Sequence, residues 1–205
     1  MIDNFLKLED TKKQRILNAA FEIFARHGYR KASTLDICDK AAISKGALFH
    51  YFENKQTLYF YLYDVGIEMI LAAMHPSDLK MNPDFFMRME DIMNAKMKAM
   101  NAYPYIYAFF VKAYTEEDET VKRELDHRLM KLADDQSILL DNIDISKFRN
   151  AIDLQILSNL IVNFAMHYIQ ERLLMNANMD IEEIMQGFQV YMKLLKDNFY
   201  KEEWL

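Results

Sequence analysis

Turn-forming and cross-linking residues are scarce in this chain. Four glycines and three prolines in 205 residues fall well below the average usage of about 7% and 5%, so tight hairpins and glycine-rich phosphate loops have little to form from. A single cysteine, Cys38, excludes a disulfide framework. No apolar stretch follows Met1-Ile2-Asp3-Asn4, so no secretory signal is expected. The longest uninterrupted apolar run, Tyr105 to Val111, is seven residues, against the roughly 20 that a membrane-spanning helix needs. These absences point to an all-α protein of the reducing cytoplasm with no membrane partner, and 52% apolar composition over 205 residues supports a core without staples.

Positive charge is scarce overall, with a net charge of −6, but it is unevenly spread. Residues 1–55 carry 10 Lys/Arg against 7 Asp/Glu, net +3, which leaves 15 against 24, net −9, for residues 56–205. A basic head on an acidic chain can hold a polyanion at one face while the remainder repels it.

Helical signals run through the whole length. Thr11-x-x-Gln14 reads as a capping box opening a first helix, with Ile16, Ala20, Ile23 and Phe24 on one face and Gly28 as its stop. Ser33-x-x-Asp36 opens a short second helix to about Ala41, and Ser44 caps a third over Lys45 to Phe52. Asn54-Lys55 starts a long helix through Leu58, Leu62, Val65, Met69 and Ala73, ending before His75-Pro76, with Ser77-Asp78 at a domain boundary. Further helices are expected from Asn82-Pro83-Asp84 to about Asn101, from Pro104, from Ser146 to about Leu174, and from Asp180 to about Tyr200. The acidic run Glu116-Glu117-Asp118-Glu119 reads as helix N-terminal acids rather than a metal site.

Ile37, Ala41, Ile43 and Leu48 are spaced so that the second and third helices pack across a short turn, the helix-turn-helix arrangement whose last helix enters the DNA major groove. Ile16-Leu17-x-Ala19-Ala20, Phe24, Gly28, Thr34, Ile37, Ala41, Ile43-Ser44-Lys45-Gly46-x-Leu48-Phe49-His50-Tyr51-Phe52 and Asn54-Lys55-x-x-Leu58 resemble the TetR family of transcriptional regulators in continuous register. That resemblance implies two domains: a helix-turn-helix head, residues 1–55, and a ligand-binding and dimerisation bundle, residues 56–205, about nine helices in all. It implies a homodimer on a palindromic double-stranded DNA operator. It also implies a repressor released when a small lipophilic ligand tilts the helix after Asn54.

Carried over by residue, Thr34, Tyr51 and Lys55 would contact phosphates, Ser44 would cap the recognition helix, and Lys45, Gly46 and Ala47 would face base edges. His50 falls where family members either pack or meet DNA. Lys45 can donate to guanine, Gly46 permits close approach, and the Ala47 methyl can meet a thymine methyl. Three positions depart from the family pattern. Phe49 replaces tyrosine and forfeits a hydroxyl, Ala42 replaces a turn glycine, and Cys38 replaces a small buried residue and reads as a small hydrophobe.

Downstream, Gln155, Asn159, Asn163 and His167 form a polar stripe, four residues apart, that faces solvent, a partner subunit or a cavity. A candidate pocket combines Asn159, Asn163 and His167 with Met93, Met97, Tyr107 and Phe110. The last helix carries an apolar seam including Ile184, Phe188, Tyr191 and Leu195, which the family resemblance assigns to the dimer interface. No catalytic or metal constellation emerges, and no cofactor is expected. The rival readings are a DNA-binding protein without a small ligand, acting through protein contacts or on the chromosome, and a helical-bundle enzyme.

Overall fold

The computed structural model describes residues 2–73, 82–133, 140–175 and 181–205. Among them run ten α-helices: α1 (Ile2–Leu6), α2 (Asp10–Lys31), α3 (Thr34–Ala41), α4 (Lys45–Phe52), α5 (Lys55–Ala73), α6 (Phe85–Ala102), α7 (Ile106–Tyr114), α8 (Glu119–Ala133), α9 (Leu154–Met175) and α10 (Ile181–Phe199). No strand interrupts them among the described residues, and the all-α expectation holds. Two compact units form, one from residues 1–73 with 98–132 and one from 74–97 with 133–205. The division expected at residue 55 thus falls inside the first unit, because α2 packs along α7 as well as on α3. The break expected at His75-Pro76, and the boundary at Ser77-Asp78, lie outside the described residues.

In the first unit, the buried stripe Ile16, Leu17, Ala20, Phe21 and Phe24 of α2 faces α5 and α7. Phe24 meets Tyr59 edge-on at 4.9 Å, and Phe109 meets Phe21 and Tyr59 at 5.3 and 5.2 Å. The helix starts at Asp10 with no side-chain bond from Glu9, so the expected capping box at Thr11 lies inside the first turn. Gly28 does break the helical geometry, at φ 69°, yet one further turn follows to Lys31. The buried Glu116 accepts from the Tyr29 amide freed by that break, at 3.1 Å, and from the amides of Glu117 and Asp118. Asp118 in turn caps α8 through Thr120 and Val121. Two of the four acids, Glu116 and Asp118, are therefore backbone caps.

The second unit is built on an aromatic cluster of Phe85, Phe86, Phe148 and Tyr200, in which Tyr200 meets Phe86 and Phe148 each at 4.9 Å. Asp84, buried beside them, accepts from the Tyr200 hydroxyl and the Met87 amide and pairs with Lys147 at 2.8 Å. Burial pushes its carboxyl up, but these three donors outweigh burial and hold it below the ordinary carboxylate range. Asp84 rather than Asn82 is thus the cap of α6, two residues later than expected. The helix expected from Ser146 is also displaced. Residues Ile145–Lys147 form one 3₁₀ turn capped by Asp144, Phe148 bridges to Tyr200, and α9 begins only where Asp153 caps Gln155 and Ile156.

Leu157, Ile161, Tyr168 and Ile169 form the inner face of α9, and Ile184, Phe188 and Met192 that of α10. This corrects part of the dimer expectation, since Ile184 and Phe188 are core residues of the unit itself. Tyr191 stays exposed and Leu195 half-buried. The outward apolar residues are Ile156, Leu160, Val162, Val190, Tyr191 and Leu194. Gln155, Asn159, Asn163 and His167 are exposed on α9, so the amides and imidazole expected at the candidate pocket are turned away from the core of the unit among the described residues. The reason is register: positions 157, 161 and 168 take the inner side. Of the other pocket candidates, Met93 is half-buried in the second unit, and Tyr107 and Phe110 belong to the first. Phe110 there lies against the backbone of Gly66, with its Cζ 2.9 Å from where a Cβ would stand. The side chain of Met97 lies outside those described.

Candidate nucleic-acid interface

The pair α3–α4 is defined by polar locks at each end. Ser33 Oγ accepts from the amides of Leu35 and Asp36, at 3.2 and 3.4 Å, which fixes the start of α3 and places Thr34 in its first turn, half-buried. The end of α3 is closed by Ala42 N donating to Asp39 O and Ile43 N donating to Cys38 O. This closure needs a left-handed residue, and Ala42 supplies it at φ 49° and ψ 52°. Arg15 of α2 donates to Ala41 O at 2.8 Å, satisfying one more terminal carbonyl. Cys38 is buried between these locks. Burial, with Asp39 nearby, pushes its thiol above the ordinary value, so it stays protonated and packs as a small hydrophobe.

Three residues later Ser44 Oγ accepts from the Ala47 amide at 3.1 Å and starts α4. Leu48, Tyr51 and Phe52, spaced i, i+3, i+4, are buried. Lys45, Gly46 and His50 are exposed on the opposite side, while Ala47 and Phe49 are half-buried. The Lys45 ammonium lies 5.8 Å over the Phe49 ring, one turn on, and has no carboxylate partner among the described residues. The Phe49 ring face thus holds the ammonium of Lys45. Gly46 is the odd member. A Cβ built on it would meet only Ser44 Oγ, at 3.9 Å, so nothing among the described residues requires a glycine there. Glycine in a helix nonetheless costs about 1 kcal/mol relative to alanine.

Tyr51 and Lys55 are placed differently from Lys45. The Tyr51 ring is 8% exposed, packed edge-on against Phe5 and His50. Lys55, the first residue of α5 behind the Asn54 cap, donates to Arg30 O and Ala32 O, each at 3.3 Å, and sits 4.7 Å over the Tyr29 ring. Two of its three N–H bonds are therefore committed to the end of α2. The expected phosphate contact has one left.

One element of this surface escaped the sequence reading. The short helix α1 lies against α4, with Phe5 buried and Asn4 bonded to His50. The signal available was Phe5 followed three residues later by Leu8, too brief a period to register as a helix.

Comparison with known proteins agrees with this geometry. Residues 16–62 match the family model described as bacterial regulatory proteins, tetR family. The HTH-type transcriptional regulator UidR of Escherichia coli is 45% identical over 58 residues, 28% of this chain and 30% of that protein. The HTH-type transcriptional repressor Rv1474c of Mycobacterium tuberculosis is 37% identical over 62 residues, 30% of this chain and 33% of that protein. The match thus spans no more than a third of either relative's length. Among solved structures, the ketosteroid transcriptional regulator KstR2 of Mycobacterium tuberculosis superposes with a TM-score of 0.66 at 18% identity, covering 96% of this chain and 98% of that one. The fatty acid degradation regulator FadR of Bacillus halodurans does so with a TM-score of 0.66 at 15% identity, covering 87% and 96%. At such identities the likeness concerns the fold.

Proposed function

We propose that this chain, whose residues 16–62 match the tetR family model, is a TetR-family regulator of transcription that binds double-stranded DNA, with α4 as the reading helix. The observation that carries the reading is Gly46. It is a helical glycine with open space around it, on a Ser44-capped helix beside Lys45, which has no carboxylate partner among the described residues. A helical glycine that no described neighbour requires fits a surface that something else must approach closely, and the floor of the major groove does so. The family's implied phosphate contacts at Thr34, Tyr51 and Lys55 would then flank the groove.

Two-fold pairing through the second unit completes the proposal. Ile156, Leu160, Val190 and Leu194 are between 53% and 67% exposed on α9 and α10. An apolar surface of that kind is a liability on a monomer, and a second copy would cover it. The polar residues Gln155 and Asn159, bonded to each other at 3.1 Å, lie beside it. A two-fold dimer would present two α4 helices to successive major grooves, about 34 Å apart. In this reading the protein is a repressor, in keeping with the name of its mycobacterial relative, and a lipophilic ligand releases it. The Met- and aromatic-rich composition of residues 85–114 supports that choice of ligand. Release requires the ligand to prefer the head spacing that the operator disfavours.

Selection from a pool of random duplexes, followed by salt titration on the recovered sequence, tests the DNA reading. Gly46→Ala is expected to fold, to gain up to about 1 kcal/mol in stability, and to lose about tenfold or more in affinity for that duplex. Unchanged affinity would remove α4 from the groove. Leu194→Glu is expected to give a folded monomer in ultracentrifugation, whereas a wild-type monomer at micromolar concentration would end the dimer proposal. Thermal-shift screening with fatty-acid and sterol panels tests the ligand.

A further inference from the structure

We infer that α1 is a positioning element of the reading helix, in which Phe5 sets the Tyr51 ring and Asn4 sets the His50 ring; this rests on the DNA-binding reading above. The helix α4 has only eight residues, too few to hold its own shape in water. Its inner side is fixed by Leu48 and Phe52 in the core. Its flank, at His50 and Tyr51, is covered by α1.

Phe5 is 1% exposed, and its ring neighbours all come from α4 and α5: Phe52 at 4.9 Å, Tyr61 at 5.5 Å and Tyr51 at 6.1 Å. The far end of α1 is tied to the start of α2. Lys13 of α2, itself paired with Asp10, donates to Leu6 O at 3.4 Å, while Leu8 N closes the last turn of α1 on Phe5 O at 3.1 Å. The short helix is thus a strut, anchored on α2 and bearing on the side chains of α4 next to the exposed face.

The second contact is polar. The Asn4 amide nitrogen meets His50 Nε2 at 3.0 Å, and the His50 ring stands edge-on to Tyr51 at 5.9 Å. An amide has a donor at one end and an acceptor at the other, so it can serve this ring nitrogen in either protonation state. What Asn4 fixes is therefore the orientation of the ring, leaving Nδ1 for another partner. His50 is exposed, and a hydrogen bond at such a site adds little to folding. Its consequence is to remove the rotational freedom of a side chain that DNA would otherwise have to order on binding. Phe5 does the same for Tyr51 by packing. Non-specific attraction to phosphate is set mainly by the lysines; the Tyr51 hydroxyl, a phosphate contact in the reading above, needs its fixed place only where α4 seats in register on the recovered duplex.

The test uses the full chain and two probes: the duplex that wild type recovers from a random pool and a scrambled duplex of equal length. Phe5→Ala is expected to weaken binding to the recovered duplex about tenfold while changing the scrambled one less than about twofold, with Phe5→Leu restoring most of the loss. Asn4→Ala leaves the core untouched and decides the matter if Phe5→Ala fails to fold. It is expected to lose about threefold on the recovered duplex, and Asn4→Ala combined with His50→Ala to be no weaker than His50→Ala alone. Wild-type affinity in Asn4→Ala, additive losses in the double variant, or equal weakening on both duplexes would overturn the inference. Failure of wild type to recover any sequence is a separate result, which removes the DNA reading and this inference with it.

Discussion

Gly46 of the first unit and Gly187 of the second, both helical, occupy opposite surroundings. A Cβ on Gly46 of α4 would meet one hydroxyl at 3.9 Å, whereas a Cβ on Gly187 of α10 would collide with the hydroxyl of Tyr168 and stand 2.9 Å from its Cζ. Gly187 is a packing glycine. Its missing side chain is the space that lets Tyr168 of α9 lie across α10, where it also meets Phe164 and Tyr191. Gly46 has no such neighbour. Gly187, like Gly66 beneath Phe110, makes room for a ring of the same chain, whereas the open space at Gly46 suits the approach from outside that the DNA-binding proposal requires. The cost of a helical glycine is similar in both, and only the surroundings tell the uses apart.

The largest effect should come from filling the inner glycine. Gly187→Ala forces Tyr168 from between the helices and is expected to cost about 2–3 kcal/mol, lowering the melting temperature by about 5–10 °C. In a Tyr168→Ala background the same change should cost far less, and equal costs in the two backgrounds would break the contrast with Gly46.

A pair of lysines sharpens the same contrast within the head. Lys55→Met removes two bonds to the end of α2 and the Tyr29 stack, and is expected to cost about 1–2 kcal/mol of stability. Lys45→Ala should leave stability within about 0.5 kcal/mol and blur base preference at one position per half-site. Chemical denaturation and duplex selection on both variants read the two effects separately, and identical profiles would erase the distinction between the lysine that faces out and the one folded in. The smallest effect is expected at Ala42. Its left-handed conformation costs about 1 kcal/mol, partly offset by the greater freedom of glycine when unfolded, so Ala42→Gly should gain about 0.5 kcal/mol.

The head was legible because its signals are local. Ser33 and Ser44 cap the helices they precede, Ala42 takes the left-handed turn position, and Gly28 breaks α2 where its isolation in a helical pattern suggests. Even there, whether a lysine faces outward or inward is a tertiary matter. Nothing in the spacing of Lys55 reveals that the carbonyls of Arg30 and Ala32 wait for its ammonium. The helix α1 went unseen for a related reason. Five residues carry too little periodicity, and its stability comes from the rings around Phe5.

The second unit was legible only as a set of amphipathic helices. An apolar seam on a helix has the same spacing whether it meets the same chain or a second copy, and that ambiguity led Ile184 and Phe188 to be assigned to a dimer surface when they are core. The polar stripe from Gln155 to His167 was ambiguous in the same way, and the register of α9 turned it outward.

By itself the sequence determined the all-helical class, the position of α4 and its Ser44 cap, because those rest on backbone chemistry within a few residues. The tertiary structure decided which apolar faces are shared within the chain, which charges are already paired, and which glycine has a neighbour, because each depends on residues from distant parts of the chain packed at van der Waals distance.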